Sequence, residues 1–285
     1  MTMANNKQPF DPVTQDDPNS GEKSPASMAP IHFMSGGSKV FGTFFSAAGE
    51  GLHPTILLLG GFPGNEVNFD IAHMLRRQGF NVLSFYARGS WGSEGEYSWK
   101  NLVADGAAAI KFLQSSYAKE NLFVDAENIS LVGHSMGGFS ALYNSVRFDE
   151  IKNVCAIALF NAGMFGQFLA GNHQVKLYAI QQMQPAMDFV KCASAEYLLN
   201  ELIDNQKDWN LVNHLEKLNA KKILVISAKH DSISPLELHH IPLEAKLKQI
   251  NPNSEFVILE TGHSFSDKRI QLMRLISDWF NKIEK

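Results

Sequence analysis

"ISLVGHSMGGFSALYNSV", residues 129–146, passes from β-branched and apolar residues, through three glycines grouped around Ser135, into a stretch of helical composition. A short apolar run, a glycine-rich bend and then a helix is the pattern of one strand–turn–helix unit. The bend raises a question about its serine. Ser135 is there for its hydroxyl, or because a small residue suits a tight turn, and the rest of the chain decides between these.

The same rhythm recurs along the sequence. "TILLLGG" (55–61), "NVLSFYARG" (81–89), "VCAIALFNAG" (154–163), "KILVISAKHD" (222–231) and "EFVILETGH" (255–263) each read as a buried strand ending in a polar or glycine-rich turn. Near-continuous apolar runs suit a parallel sheet covered on both faces. Helical patterns lie between them. "NFDIAHMLRRQGF" spaces Ile71, Met74, Leu75 and Gln78 along one side and stops at Gly79. The last stretch, "SDKRIQLMRLISDWFNKIEK", puts Leu272, Leu275, Ile276, Trp279, Phe280 and Ile283 on one face. "IHFMSGGSKVFGTFFSA" reads as two antiparallel strands joined at Gly36-Gly37. The alternation predicts an α/β fold with a mostly parallel, doubly wound sheet and helices on both faces.

Residues 164–215 break the rhythm: they hold no clear strand, are rich in Gln, Met and Leu, and read as helical. An insert between two strands would sit at their C-terminal edge, where open α/β sheets bind ligands, so we expect a cap there. Residues 1–29 are polar and rich in Pro, Asn, Ser and Asp and read as a flexible tail; residues 30–285 read as the folded domain.

The bulk numbers exclude several classes. The chain has 285 residues, 45% of them hydrophobic, and a formal net charge of −4, which points away from a nucleic-acid partner. No window approaches the ~18 apolar residues needed to span a bilayer, and no secretory signal is visible at the N-terminus. Two cysteines, Cys155 and Cys192, make no disulfide framework or zinc spacing, so we expect a cytoplasmic location. Cys155, within "VCAIALF", reads as a small buried hydrophobe.

"GHSMG", Gly133 to Gly137, is a G-x-S-x-G sequence with a strand before it and a helix after it. On these residues the chain resembles the α/β-hydrolase superfamily, esterases and lipases in particular, over roughly residues 31–283. The resemblance implies a strained nucleophile elbow, with Ser135 lifted above the sheet and its partners following in the order acid, then base. His263 in "ILETGHSF", just past the last apolar run, stands where the family places its base. His134 is a worse candidate because adjacent residues on an elbow point apart, and His239 and His240 read as surface residues. Asp231, ending "VISAKHD", stands at the acid's position; its bland reading is a turn cap before "SISP". The resemblance implies an oxyanion hole of two backbone N–H groups, those of Met136 and of Phe62 in "LLLGGFPGN", with Gly61 competing for the second. Gly60 stands where the related His-Gly-x-Pro-Gly pattern has histidine. Arg88, in "FYARGSWGSEGEYSW", reads as a brace; Trp91 and Trp99 read as pocket lining or packing.

These placements lead us to expect a serine hydrolase that needs no metal or cofactor and cleaves a carboxylic ester through an acyl-enzyme intermediate. The expected substrate is a small-molecule ester with a hydrophobic group. Two other readings compete with it. One is a peptidase or amidase, because "HPTILLLGGFPGNE" to "ARGSWGSEG" resembles prolyl-oligopeptidase-type catalytic domains. The other is a non-catalytic binding protein on the same fold.

Overall fold

Every apolar run of the sequence becomes a strand of one eight-stranded sheet in the computed structural model, which describes residues 10–17 and 23–283. The strands are β1 (Ser27–Ser35), β2 (Ser38–Ser46), β3 (His53–Leu59), β4 (Asn81–Phe85), β5 (Val124–His134), β6 (Asn153–Ile157), β7 (Lys222–Ala228) and β8 (Ser254–Leu259). Their spatial order is β1-β2-β4-β3-β5-β6-β7-β8. β1 and β2 form the antiparallel hairpin read from "IHFMSGGSKVFGTFFSA", and Gly36 and Gly37 make its turn with φ of 54° and 80°. Side chains resist positive φ at two successive positions, which is why glycine fills both. β2 also runs antiparallel to β4, and every pairing from β4 to β8 is parallel.

The helices between strands are α1 (Phe69–Arg77), α2 (Trp99–Leu113), α3 (Ser116–Leu122) and α4 (Met136–Arg147). Four more, α5 (Ala162–Ala170), α6 (His173–Met183), α7 (Ala195–Asp204) and α8 (Leu215–Leu218), fill the interval from β6 to β7. This is the strandless region of the sequence, extended by a few residues at each end. α9 (Leu236–His239), α10 (Ile241–Ile250) and α11 (Arg269–Ile283) complete the chain.

The strand pleat divides the core into two layers. Leu57 and Leu59 of β3 face α2 and α4, while Ile56 and Leu58 face α1 and α11. Burying each such side chain contributes roughly 1.5–3 kcal/mol, so a sheet apolar on both faces cannot stand without both helix layers. Cys155 lies in the second layer, fully buried, as its apolar run suggests.

The reading of residues 1–29 as a tail needs correction where the structure describes them. Val13 is buried in the α1/α11 layer, Arg77 donates to the Pro12 carbonyl at 2.7 Å, and Arg76 and Arg274 pair with Asp17 and Asp11. One apolar side chain and three arginines thus dock residues 10–17 on the body. β1 also takes Ser27–Ala29 from that span. Residues 1–9 and 18–22 lie outside the described residues.

The topology fixes where a site can form. β4 and β5 flank β3 on opposite sides, so the loops leaving β3 and β5 diverge at a switch point and open a crevice at their C-terminal ends.

Candidate active site

Ser135 occupies the bend between β5 and α4 with φ 58° and ψ −122°. A non-glycine residue there is strained by about 1–3 kcal/mol, and the surroundings must hold it. Its N–H donates to the Ile157 carbonyl at 2.8 Å, and its carbonyl accepts from Phe139 and Phe160. The flanking glycines have measurable reasons. A Cβ on Gly133 would lie 2.1 Å from the Gly137 carbonyl oxygen, and one on Gly137 would lie 2.1 Å from the Leu59 oxygen. Only bare backbone lets β3, the bend and α4 approach so closely.

The loop after β3 comes against the serine. A Cβ on Gly61 would stand 2.9 Å from Ser135 Cβ and 3.4 Å from its Oγ. Phe62 follows, its ring packed on Tyr97 and Trp99 with centroids at 5.5 and 5.2 Å. The Trp91 indole N–H donates to the Pro63 carbonyl at 2.7 Å. Trp91 is 42% exposed and stacks on Phe189 of the helical insert, whereas Trp99 is buried. Arg88 is buried and grips Asp105 at 2.6 Å, bracing the loop after β4. Among the described residues, neither the Phe62 nor the Met136 N–H has a hydrogen-bond acceptor.

Asp231 and His263 are brought together. His263 Nδ1 lies 2.7 Å from Asp231 Oδ2. The other carboxylate oxygen accepts the N–H groups of Ile233 and Ser234 at 2.8 and 2.7 Å, so the turn-capping role exists alongside the pairing. Burial raises the Asp231 carboxyl, but the hydrogen bond and charge of His263 and the two N–H groups outweigh it and hold the group below its ordinary range. Ser135 Oγ makes no hydrogen bond to a described residue, although its neighbour His134 touches the loop of His263.

Three histidines depart from expectation. His134 does not turn away from the site's surroundings; its ring is buried 4.9 Å from that of His263. The β5 pleat contains the signal, because His134 sits two residues beyond Val132 and so faces the α1/α11 layer. His239 and His240 are buried rather than superficial. They recur with Leu243 and Leu247 at helical spacing, a period hidden because the helix breaks between α9 and α10. His240 bonds Ser227 Oγ and Glu244. His239 Nδ1 accepts from the Asn161 N–H at 2.9 Å, and burial lowers its pKa to about 3. Among the described residues, no group of three or more His, Cys, Asp or Glu could hold a metal ion, and no helix is long and apolar enough to cross a membrane.

Sheet order, elbow and the loops at the switch point define an α/β-hydrolase fold. Residues 107–267, more than half the chain, match the family described as BAAT / acyl-CoA thioester hydrolase C terminal, and the chain belongs to that family. The matched span includes positions 135, 231 and 263. Solved structures repeat the fold at low identity. The Pyrococcus furiosus esterase Pf2001 is 18% identical with a TM-score of 0.64, over 90% of this chain and 91% of that one. The α/β hydrolase GrgF from a Penicillium species is also 18% identical, with a TM-score of 0.66 over 90% of this chain and 98% of its own. An acylaminoacyl peptidase of Pyrococcus horikoshii reaches a TM-score of 0.67 at 15% identity, over 91% of this chain and 42% of that one. No curated protein matches the sequence.

Proposed function

We propose that this hydrolase-family member is a serine hydrolase that cleaves a carboxylic ester, with Ser135 as nucleophile, His263 as base and Asp231 as its acid. The observation that carries the reading is the 2.7 Å bond from Asp231 to His263 Nδ1 beside a serine held in a strained bend. Asp231 fixes the tautomer with Nε2 free to accept a proton. Ser135 Oγ bonds to the acyl carbon as its proton passes to His263. The Phe62 and Met136 N–H groups hold the oxyanion, at the N-terminus of α4 where negative charge is favoured. The bond to the leaving oxygen then breaks, and that oxygen takes the proton from His263. Water repeats the sequence and frees the acid. The insert, residues 164–215 of our sequence reading, caps the crevice and contributes apolar surface such as Phe189, which suits a hydrophobic acyl group. The same steps cleave a thioester, and the family match favours that as the second reading.

Ser135→Ala tests the assignment. Turnover of short p-nitrophenyl esters should fall by about 10⁴-fold or more, and fluorophosphonate labelling should vanish. Turnover at the wild-type rate would overturn it. Matched oxygen ester, thioester and amide substrates distinguish the acyl-transfer readings.

A further inference from the structure

His134 directly precedes the serine and has no part in the chemistry above, yet it is almost wholly buried at the meeting point of three segments. Its Nε2 lies 3.0 Å from the carbonyl oxygen of His263. A carbonyl only accepts, so Nε2 carries the hydrogen and Nδ1 the lone pair. Nδ1 faces Glu66 Oε2 at 3.8 Å. Glu66 belongs to the loop after β3 that also carries Phe62.

Arg269 closes the arrangement from the other side. Its guanidinium grips Asp70 at 2.6 and 2.7 Å and Asn68 at 2.9 Å. It also reaches Glu66 Oε1 at 3.4 Å and the Ser264 carbonyl at 3.2 Å. The Ser264 carbonyl is thus tied to the β3 loop through Arg269, and the adjacent His263 carbonyl is tied to the elbow through His134. The base loop needs such ties: Phe265 holds φ 53° without being glycine. Burial, the largest influence on His134, lowers its pKa and keeps the ring neutral. A cation there would oppose the imidazolium that forms on His263.

We infer that His134 is a positioning residue: by donating to the His263 carbonyl, it holds the base loop in register with the elbow, so that the His263 ring stays aimed at Ser135. The inference rests on the proposed roles of Ser135 and His263.

Two substitutions test it, with Ser135→Ala as reference. His134→Leu removes the donor while filling the space; kcat should fall tenfold or more with KM within twofold. His134→Gln places an amide N–H near the same point and should recover kcat to within about threefold of wild type. If His134→Leu does not fold, His134→Asn, whose shorter amide stops near the Nδ1 position and cannot reach the His263 carbonyl, should lower kcat by a similar factor at unchanged KM, so the idea stays testable. Equal impairment of the Leu and Gln variants would make His134 a packing residue and overturn the inference. So would wild-type kcat in His134→Leu or His134→Asn while Ser135→Ala is inactive. Turnover surviving Ser135→Ala would remove the nucleophile reading, and this inference with it.

Discussion

The sheet and the helical insert share one apolar layer but are buried to very different extents. Every residue of β4, Asn81–Phe85, is buried, whereas α6 of the insert buries none of its eleven. Strands in the sheet are fixed by two apolar layers that leave no alternative register. The insert is anchored by α5 and α7, whose Leu169, Leu198, Leu199 and Leu202 are buried in the layer shared with α2 and α4, and directed bonds add to that packing. Glu201 of α7 is buried and accepts the N–H groups of Trp99 and Lys100 at 2.6 and 3.3 Å, capping α2 from outside its own sequence. Trp99 returns a bond from its indole to the Leu198 carbonyl at 2.9 Å. Further out, Tyr97 and Lys191 are joined by backbone bonds, and Lys191 in turn donates to Gly89. Packing secures the sheet that carries Ser135; packing of α5 and α7 together with a few polar contacts secures the insert.

The largest expected effect comes from glycines, one in each region. A methyl on Gly137 would meet the Leu59 backbone oxygen at 2.1 Å, and backbone cannot swing aside. Gly137→Ala should cost about 3 kcal/mol or more in urea unfolding, at the upper end of overpacking. Gly171, at the end of α5, has φ −89° and room around it: a Cβ would meet only the Phe168 oxygen at 3.9 Å. Gly171→Ala should be neutral or stabilise by up to about 1 kcal/mol, because it restricts the unfolded chain. Equal losses at the two positions would abolish the contrast.

Glu201 gives the next effect. Burial pushes its carboxyl pKa up against the opposing N–H bonds of Trp99 and Lys100. Glu201→Ala leaves two helix N-terminal N–H groups without that acceptor and should cost about 2 kcal/mol. It should also speed proteolytic cleavage within residues 173–194, while the core strands keep their amide protection. Unchanged cleavage would mean that the apolar packing of α5 and α7 holds the insert without help from these bonds.

The same contrast explains what could be read from the sequence. Runs such as "TILLLGG" announce buried strands because they are short, end in glycine and lack the polar spacing of an amphipathic helix. Asp231 and His263 were legible because each ends such a run, and their pairing follows from adjacent strand ends; what they do together is the reading proposed for them. The insert's helices showed only as the absence of strands, since half-exposed faces leave a weak period. Arg269 and Glu66 gave no local signal at all: they lie some two hundred residues apart and are joined only by the fold. Val13 and its neighbours sit in a polar stretch, so their docking onto α1 and α11 depended on arginines far along the chain.

The smallest effect concerns the junction of the two regions. Asn161, just before α5, donates its N–H to His239 Nδ1, so the insert's first residue hangs on a body histidine packed against Phe160 and Phe165. With its pKa lowered to about 3, the folded protein keeps this ring neutral, while the unfolded chain protonates it near the ordinary 6.5. The unfolded state therefore takes up the proton first, and stability falls as pH drops below about 6.5 and continues falling toward 3. Between pH 7 and pH 5.5 this group alone should remove about 1 kcal/mol. His239→Phe lacks the titrating ring; it should be less stable at pH 7 for want of the Asn161 bond, yet lose about 1 kcal/mol less than wild type over that interval. Urea unfolding at the two pH values checks it. Parallel losses in both proteins would mean that the ring can protonate in place, and the junction would then be as loosely held as α6 rather than fastened like the sheet.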